Sequence, residues 1–307
     1  MSNQTKYRGR FAPSPTGQLH FGSLVAAVGS YLDARHYGGE WLVRMEDLDQ
    51  QREVPGSADD ILRTLDAFGF AWDGVVVYQS QRREAYRAAV DQLQHADMLY
   101  PCNCSRREIA LMGRMGEEGI IYPSYCRDMQ DRGGAKSARR LKVDAMPMVM
   151  DDLICGRYSQ NLQQAVGDFV IQRVDGIHAY QLAVVVDDAW QGVTHIVRGA
   201  DLLLSTPRQC YLQQQLRLVR PYYAHLPLVL DGDGKKLSKQ SAATPVEKER
   251  PLPALYEALA ALGQRRPDES VVSLDDFWGW AIAHWCRDLV AKSGRPTGGP
   301  PRLYRPI

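Results

Sequence analysis

No apolar run in the sequence approaches the ~18 residues needed to span a bilayer, so a membrane protein is not expected. The start, Met1 to Arg10, is polar and basic with no apolar segment behind it, and no secretory signal is read there. Charge of one sign is not in surplus either: 37 Lys and Arg face 36 Asp and Glu, for a net charge of +1. A protein that coats nucleic acid without specificity needs a basic excess, so that class is excluded, although a local basic patch is not. Cysteine is sparse, and six in 307 residues are too few for a disulfide scaffold. Internal repeats are absent. What remains is an ordinary globular composition, 45% hydrophobic and 24% charged, which excludes disordered, collagen-like and coiled-coil chains. The length suggests about two domains. Cys102, Cys104 and Cys126 lie close together, which points to a metal in a reducing cytoplasm.

The first hundred residues alternate strand and helix signals. Tyr7–Ala12 reads as a short strand running into the rigid loop Pro13-Ser-Pro-Thr-Gly17. A helix is expected from about Gly22 to Tyr37, stopped by Gly38-Gly39, and a strand over Trp41–Met45. Ser57 with Asp60 looks like a capping box, followed by Ile61, Leu62, Leu65 and Phe68 at helical spacing. Val75–Tyr78 reads as a strand and residues 81–98 as a helix. Strand and helix in alternation imply an α/β fold with a parallel sheet and crossover helices. From residue 101 to 176 the rhythm breaks, and an inserted subdomain with the clustered cysteines is the economical reading. Leu182–Val186, a β-branched run before Asp187-Asp188, suggests a strand returning to the central sheet over 177–240. Thr206-Pro207 starts a helix, and Leu226–Leu230 is a strand. Residues 241–291 read as a short helical region, and 292–307 as a disordered tail. The tryptophans near the end are read as packing residues, and Cys155, Cys210 and Cys286 as core thiols.

Two segments carry possible phosphate chemistry. Arg10-Phe-Ala-Pro-Ser-Pro-Thr-Gly-Gln-Leu-His20-Phe-Gly22-Ser23 leads from the first strand into the first helix, where a doubly wound sheet faces its ligand crevice. The helix N-terminus attracts phosphate, and His20 can donate to it. Far downstream, Asp231-Gly-Asp-Gly-Lys-Lys236-Leu-Ser238-Lys239-Gln240 places lysines on a glycine-hinged loop able to follow charge onto a leaving pyrophosphate. Either segment alone is more often a plain loop.

Together they resemble the paired signatures of class I aminoacyl-tRNA synthetases. The sequence around His20 and Arg44-Met-Glu46-Asp-Leu-Asp49 resembles the glutamyl/glutaminyl branch, as do Tyr180-Gln-Leu-Ala-Val-Val-Val-Asp-Asp and Gly192-Val-Thr-His-Ile-Val-Arg198-Gly-Ala-Asp. The resemblance runs in order from Tyr7 to Gln240. It implies a Rossmann-type parallel sheet with an inserted zinc-containing subdomain and a short helical C-terminal region. It also implies that glutamate is held by Arg10, Ala12, Ser14, Glu46, Tyr180 and Arg198. Guanidinium forks suit carboxylates, and Glu46 can pair with the ammonium. Arg10 is expected on the side-chain carboxylate and Arg198 on the α-carboxylate. His20, Gly22, Ser23, Lys236, Ser238 and Lys239 would hold ATP with Mg²⁺, with His20 and Lys239 stabilising charge as the glutamate carboxylate attacks the α-phosphorus. Ser23 stands where class I motifs often have a second His, a small residue this branch commonly tolerates.

Cys102-x-Cys104 and Tyr122-x3-Cys126 suggest one structural zinc. The fourth ligand is open on the residues alone, among Tyr122, Tyr125, His95 and Cys155; the resemblance favours Tyr122. The basic run Lys136–Lys142 reads as either a solvated face or an RNA-backbone patch. Only 67 residues follow Gln240, too few for two further RNA-binding domains. With the Cys-x-Cys…Tyr-x3-Cys pattern, this resembles the glutamyl-queuosine tRNA(Asp) synthetase family, whose members transfer glutamate to the queuosine base of tRNA(Asp). The expectation is therefore a cytoplasmic, monomeric enzyme using L-glutamate, ATP and queuosine-bearing tRNA(Asp). The alternatives are a glutamyl-tRNA synthetase charging the 3′ end, and an idle paralogue that only binds an amino acid or RNA.

Overall fold

The structure is a computed structural model and describes residues 6–116, 118–128, 136–229, 245–268 and 270–290. The first half follows the expected alternation: β1 (Arg8–Phe11), α1 (Phe21–His36), β2 (Glu40–Met45), α2 (Ser57–Ala67), β3 (Val77–Tyr78) and α3 (Arg83–His95). Then come β4 (Leu99–Cys102), α4 (Arg106–Met112), the hairpin β5 (Arg114–Gly116) and β6 (Gly119–Ile121), and β7 (Ala138–Leu141). These lead into β8 (Pro147–Asp152), β9 (Gly156–Asn161), α5 (Leu162–Ala165) and β10 (Phe169–Gln172). The chain continues through α6 (Tyr180–Trp190), β11 (His195–Gly199), α7 (Thr206–Gln215), β12 (Tyr222–Leu226), α8 (Pro251–Ala261) and α9 (Leu274–His284).

β1 pairs in parallel with β2, and β2 with β3; β11 pairs in parallel with β12, placing Arg198 opposite His225. Parallel neighbours need crossovers, which α1 and α7 supply. The two parallel sets meet where the Thr194 amide donates to the Arg8 carbonyl at 2.9 Å and the Arg8 amide donates to the Thr194 hydroxyl at 2.8 Å. β8 joins β12 in parallel at Asp152–Tyr223 and carries β9 antiparallel on its other edge. Part of the expected insertion thus belongs to a sheet shared with β11 and β12. The remainder builds a separate antiparallel sheet of β10, β7 and β4.

The larger core packs Leu24, Val28 and Leu32 of α1 against Trp41, Phe68 and the C-terminal helices, with Leu255, Leu259 and Phe277 buried. Burying each such side chain contributes roughly 1.5–3 kcal/mol. α1 approaches β12 so closely that a Cβ on Gly29 would lie 2.6 Å from Leu226 Cδ1, so a larger residue there would have to displace the buried Leu226 side chain. The C-terminal tryptophans do pack: Trp278 stands edge-on to Tyr31 at 4.8 Å and donates to the Phe68 carbonyl, and Trp285 donates to buried Asp33. Asp33 also accepts from Tyr7 and Arg287, tying the end of the described chain to α1. Cys155 and Cys210 are buried, whereas Cys286 is only half-buried.

Several local expectations are corrected. Leu182–Val186 is not a strand but the middle of α6, whose Leu182, Ala183, Val184, Val185, Asp187 and Asp188 are all buried. Burial on nearly every side overrides the β preference of the valines. Ser57 forms no capping box; the N-cap is Gly56 in a left-handed conformation, φ 76°. The Ser57 hydroxyl instead accepts from the Gly17 amide at 3.0 Å and donates to the Gly17 carbonyl at 2.7 Å, clamping the loop after β1. Residue 206 begins α7 as its first helical residue, with Ser205 before it. The expected strand at 226–230 ends at Leu226 and begins earlier, at Tyr222. The expected tail 292–307 and the loop 231–240 lie outside the described residues. Among the described residues no helix is long and apolar enough to cross a membrane.

Candidate active site

The carboxyl ends of β1, β2, β11 and β12 open into one cavity of about 620 Å³. In a parallel sheet this is where ligands bind, because the crevice between diverging connections lies there. The expected residues Arg10, Ala12, Ser14, His20, Gly22, Ser23, Glu46, Tyr180 and Arg198 all line it. Lys236, Ser238 and Lys239 lie outside the described residues. Their described flanks reach the same place: Val229 lines the cavity, and Pro245 forms an antiparallel bridge with His20.

His20 is the N-cap of α1, its Nδ1 accepting from the Ser23 amide at 3.3 Å. With Nδ1 as acceptor, Nε2 carries the proton and donates to the Ser23 hydroxyl 3.0 Å away. Ser23 therefore orients the imidazole at the positive end of a 16-residue helix, where an anion is favoured.

The amino-acid end is a cluster of buried charges. Arg10 is 4% exposed and its Nε donates to Asp188 Oδ1 at 3.1 Å. Arg44, fully buried, donates through Nη1 to Asp188 at 2.8 Å and to Gln191 at 2.7 Å, and approaches Glu46 at 3.4 Å. Arg44–Glu46 is thus an internal pair, not a surface one. Burial opposes ionisation of Asp188, but Arg10 and Arg44 outweigh it and hold the carboxyl below its ordinary pKa. For Glu46 the balance is reversed: burial raises its pKa, and Arg44 and Arg10 only partly offset it. A carboxyl that ionises reluctantly by itself is stabilised as an anion by an incoming ammonium.

Arg198, on β11, is buried and held on three sides. Its Nε donates to His225 Nε2 at 3.2 Å, and its Nη2 to Thr206 Oγ1 and Gln209 Oε1, each at 2.8 Å. Its Nη1 reaches the Tyr180 hydroxyl at 3.4 Å. In the sequence Arg44, Asp188 and Thr206 stand out only as parts of a motif, an acidic pair and a helix start, and none of Asp188, Arg44, Gln191, His225, Thr206 and Gln209 is given a role in the site there. Two acids after a run of valines were the available signal, since charges placed in apolar surroundings need partners.

The cysteines form a second cluster, away from that cavity. Cys102, at the end of β4, Cys104 and Cys126 bring their sulfurs within 4.8 Å of one another. The Tyr122 hydroxyl lies 3.4 Å from Cys102 Sγ and 3.7 Å from Cys104 Sγ, and accepts from the Cys126 amide at 3.0 Å. Tyr122 bridges to Gly167 so tightly that a Cβ there would stand 2.2 Å from the Tyr122 carbonyl oxygen. Burial and the neighbouring Cys126 push the Cys104 thiol up to about 11. Burial would raise the Cys102 thiol too, but hydrogen bonds from Tyr122 and Arg140 bring it below its ordinary value. Three sulfurs this close together could hold a metal ion, and the Tyr122 hydroxyl stands beside them as a further oxygen donor. Of the rival ligands, His95 and Tyr125 are exposed, and Cys155 is in the larger core. Of the basic run, Arg140 is neither a solvated face nor an RNA patch. It is buried, with its guanidinium 3.6 Å from the centre of the Tyr122 ring.

Residues 6–258 match the family model described as the catalytic domain of class I tRNA synthetases (E and Q). Among curated proteins the chain is 56% identical to a Glutamyl-Q tRNA(Asp) synthetase of Dechloromonas aromatica, over 93% of this chain and 96% of that one. A protein of the same name from Pseudomonas aeruginosa is 54% identical over 92% of this chain and 94% of its own. Among solved structures, a glutamate-tRNA synthetase from Elizabethkingia anophelis superposes with a TM-score of 0.79 at 27% identity. That match covers 94% of this chain and 68% of the other. A glutamate tRNA ligase from Elizabethkingia meningosepticum, in complex with its amino acid, gives 0.78 at 27% identity over 94% and 66%.

Proposed function

The chain belongs to the class I tRNA synthetases of the glutamyl and glutaminyl type, and we propose that it activates L-glutamate with ATP and passes the glutamyl group to the queuosine base of tRNA(Asp). The observation that carries this reading is the convergence of Arg10, Glu46, Tyr180 and Arg198 on the cavity that begins at the His20 helix end. Two guanidiniums and one carboxylate complement glutamate's two carboxylates and one ammonium. Arg10 takes the side-chain carboxylate and Arg198 the α-carboxylate up to the point of attack, with Ala12, Ser14 and Tyr180 closing the pocket.

No side-chain nucleophile is required. A glutamate α-carboxylate oxygen attacks the α-phosphorus of ATP, and the bond to the bridging oxygen breaks with release of pyrophosphate. The products are glutamyl-adenylate and pyrophosphate. His20, Gly22 and Ser23, with Lys236, Ser238 and Lys239, hold the triphosphate, and Mg²⁺ accompanies it. A nucleophile on the queuosine base then takes the glutamyl carbonyl and AMP leaves. ATP–pyrophosphate exchange with glutamate and no tRNA tests the first step. Exchange is expected, and its absence would sink the activation reading.

Glu46 gives that assay a pH signature. Its raised pKa means that the free enzyme gains a proton there as pH falls, and the protonated form cannot pair with an ammonium. The glutamate KM should therefore climb on acidification, beginning above the ordinary carboxylate range. Glu46→Gln should raise KM at all pH values and flatten this climb. An unaltered pH profile in Glu46→Gln would remove Glu46 from the ammonium site.

Zn²⁺ would be held by Cys102, Cys104, Tyr122 and Cys126, where it supplies structural cross-linking rather than chemistry. Protein purified without chelator should carry about one zinc per chain, and Cys104→Ser should lose most of it. A zinc content near zero in the unaltered protein would remove the metal. We place the enzyme in the cytoplasm, where such thiolate sites stay reduced.

A further inference from the structure

We propose that His225 is a positioning residue for the amino-acid pocket: held in one tautomer by Asp152, it accepts the Arg198 Nε–H and leaves the guanidinium's Nη1 edge to the substrate. The proposal rests on the reading of Arg198 as the carboxylate-binding arginine and deepens it.

The three residues come from strands that pair side by side. Arg198 on β11 is the register partner of His225 on β12, and the bridge between β12 and β8 sets Asp152 opposite Tyr223, two residues from His225. Asp152 and His225 are both buried. Asp152 Oδ1 is taken by three backbone amides, those of Ile154 at 3.0 Å, Cys155 at 2.8 Å and His225 at 3.2 Å. Only Oδ2 remains for the imidazole, and it lies 2.6 Å from His225 Nδ1. A carboxylate can only accept, so Nδ1 carries the proton and Nε2 keeps its lone pair. That lone pair faces the Arg198 Nε–H at 3.2 Å and the Thr206 hydroxyl at 3.1 Å. Burial lowers the pKa of His225 despite Asp152, which favours the neutral ring this arrangement requires.

The consequence for Arg198 follows from counting its five N–H groups. Nε is taken by His225, and the two of Nη2 by Thr206 and Gln209. Nη1 alone has a hydrogen left among the described residues, beside its 3.4 Å contact to Tyr180. Rotation about the terminal bonds would break three hydrogen bonds at once, so the approach to a carboxylate is fixed before substrate arrives. Pre-arranged donors bind without the ordering cost that a mobile arginine would carry. Through Asp152, a residue of β8, the segment between β4 and β10 reaches the substrate pocket without lining it.

Asp152→Asn tests this with a change of one atom. The three backbone amides hold the side-chain oxygen in the Oδ1 position, which turns the new NH₂ toward His225 Nδ1. The imidazole must then move its proton to Nε2, where it opposes the Arg198 Nε–H. In ATP–pyrophosphate exchange, the glutamate KM is expected to rise about tenfold, the worth of one hydrogen bond to a charged group. The ATP KM should stay within about twofold of the unaltered enzyme, because the triphosphate does not meet this chain of contacts. In a His225→Gln background there is no tautomer to switch and the amide oxygen can accept from Arg198. There Asp152→Asn should add less than about twofold. An unchanged glutamate KM in Asp152→Asn, an equal rise in both KM values, or the same rise in the His225→Gln background would overturn the proposal.

Should Asp152→Asn fail to fold, His225→Gln against His225→Asn poses the same question, since glutamine keeps an acceptor near Nε2 and asparagine does not. Equal glutamate KM values for the pair overturn the proposal. Arg198→Lys separates the two levels: an unchanged glutamate KM there ends the carboxylate reading and the proposal with it. A raised KM in Arg198→Lys with no effect of Asp152→Asn ends only the positioning role.

Discussion

Asp188→Ala is expected to lower glutamate-dependent pyrophosphate exchange by about a hundredfold or more, and to destabilise the fold by roughly 3–5 kcal/mol. Asp188 is the counter-charge shared by Arg10 and Arg44, at 3.1 and 2.8 Å, and all three are buried. Removing it leaves two desolvated guanidiniums, with Glu46, 3.4 Å from Arg44, as the remaining ion-pair partner among the described residues and Asp187 acting on Arg44 from further off. Glu46 would be drawn into that gap and away from the substrate ammonium. Arg10 would lose the contact that sets its angle at the cavity wall, and an error of about 1 Å in such a group costs on the order of a hundredfold. Asp188→Asn separates charge from shape, because the amide can still meet one arginine. It should recover part of the stability and little of the activity. The acid limb of the stability curve gives a further check. The folded pKa of Asp188 lies below its unfolded value, so its contribution is complete above the unfolded pKa and is lost as pH falls through the folded value. Thermal midpoints measured from about pH 5 downward should therefore fall more shallowly in Asp188→Asn than in the unaltered chain. Full exchange activity in Asp188→Ala would show that Arg10 needs no partner to serve the pocket.

What could be read from the residues, and what could not, divides along a physical line. Local signals placed β1, α1 and the loop between them, because glycine, proline and hydrophobic period act over a few residues. Motif spacing gathered nine residues, from Arg10 to Arg198, that the structure sets around one cavity. The errors fall where burial is nearly complete or the partner is remote. α6 shows little one-sided pattern because it is enclosed, so its valines read as a strand. Ser57 has the spacing of a helix cap, yet its hydroxyl serves Gly17, 40 residues away. The link from Asp152 to His225 spans 73 residues, and neither residue sits in a motif. Pairings of that kind depend on strand register, which hydrophobic pattern sets only to one residue in two. Asp187 and Asp188 were visible as acids behind an apolar run. What they hold was not: Asp187 accepts from Gln79, Arg82 and Tyr86, and Asp188 from Arg10 and Arg44.

The largest effect expected lies in the transfer step. Labelled glutamate should appear in tRNA(Asp) that carries queuosine and be absent from otherwise identical tRNA(Asp) that lacks it. Most recognition differences are graded, since a missing contact costs a few kcal/mol and is felt as a ratio. This one is of another kind, because on the proposed reaction the base supplies the nucleophile. Without it the glutamyl-adenylate has no acceptor other than water. Activation, in contrast, depends on the cavity between His20 and Arg198 and should proceed at the same rate whichever tRNA is present. Removing the 3′-terminal nucleotides from queuosine-bearing tRNA(Asp) should leave the labelling intact, whereas an enzyme that charges the 3′ end would lose it altogether. Labelling of queuosine-free tRNA(Asp), or its loss on 3′ truncation, would move the acceptor from the base to the terminal ribose. The combination of full exchange, queuosine-dependent labelling and indifference to the 3′ end fits no reaction of this family except transfer to the base.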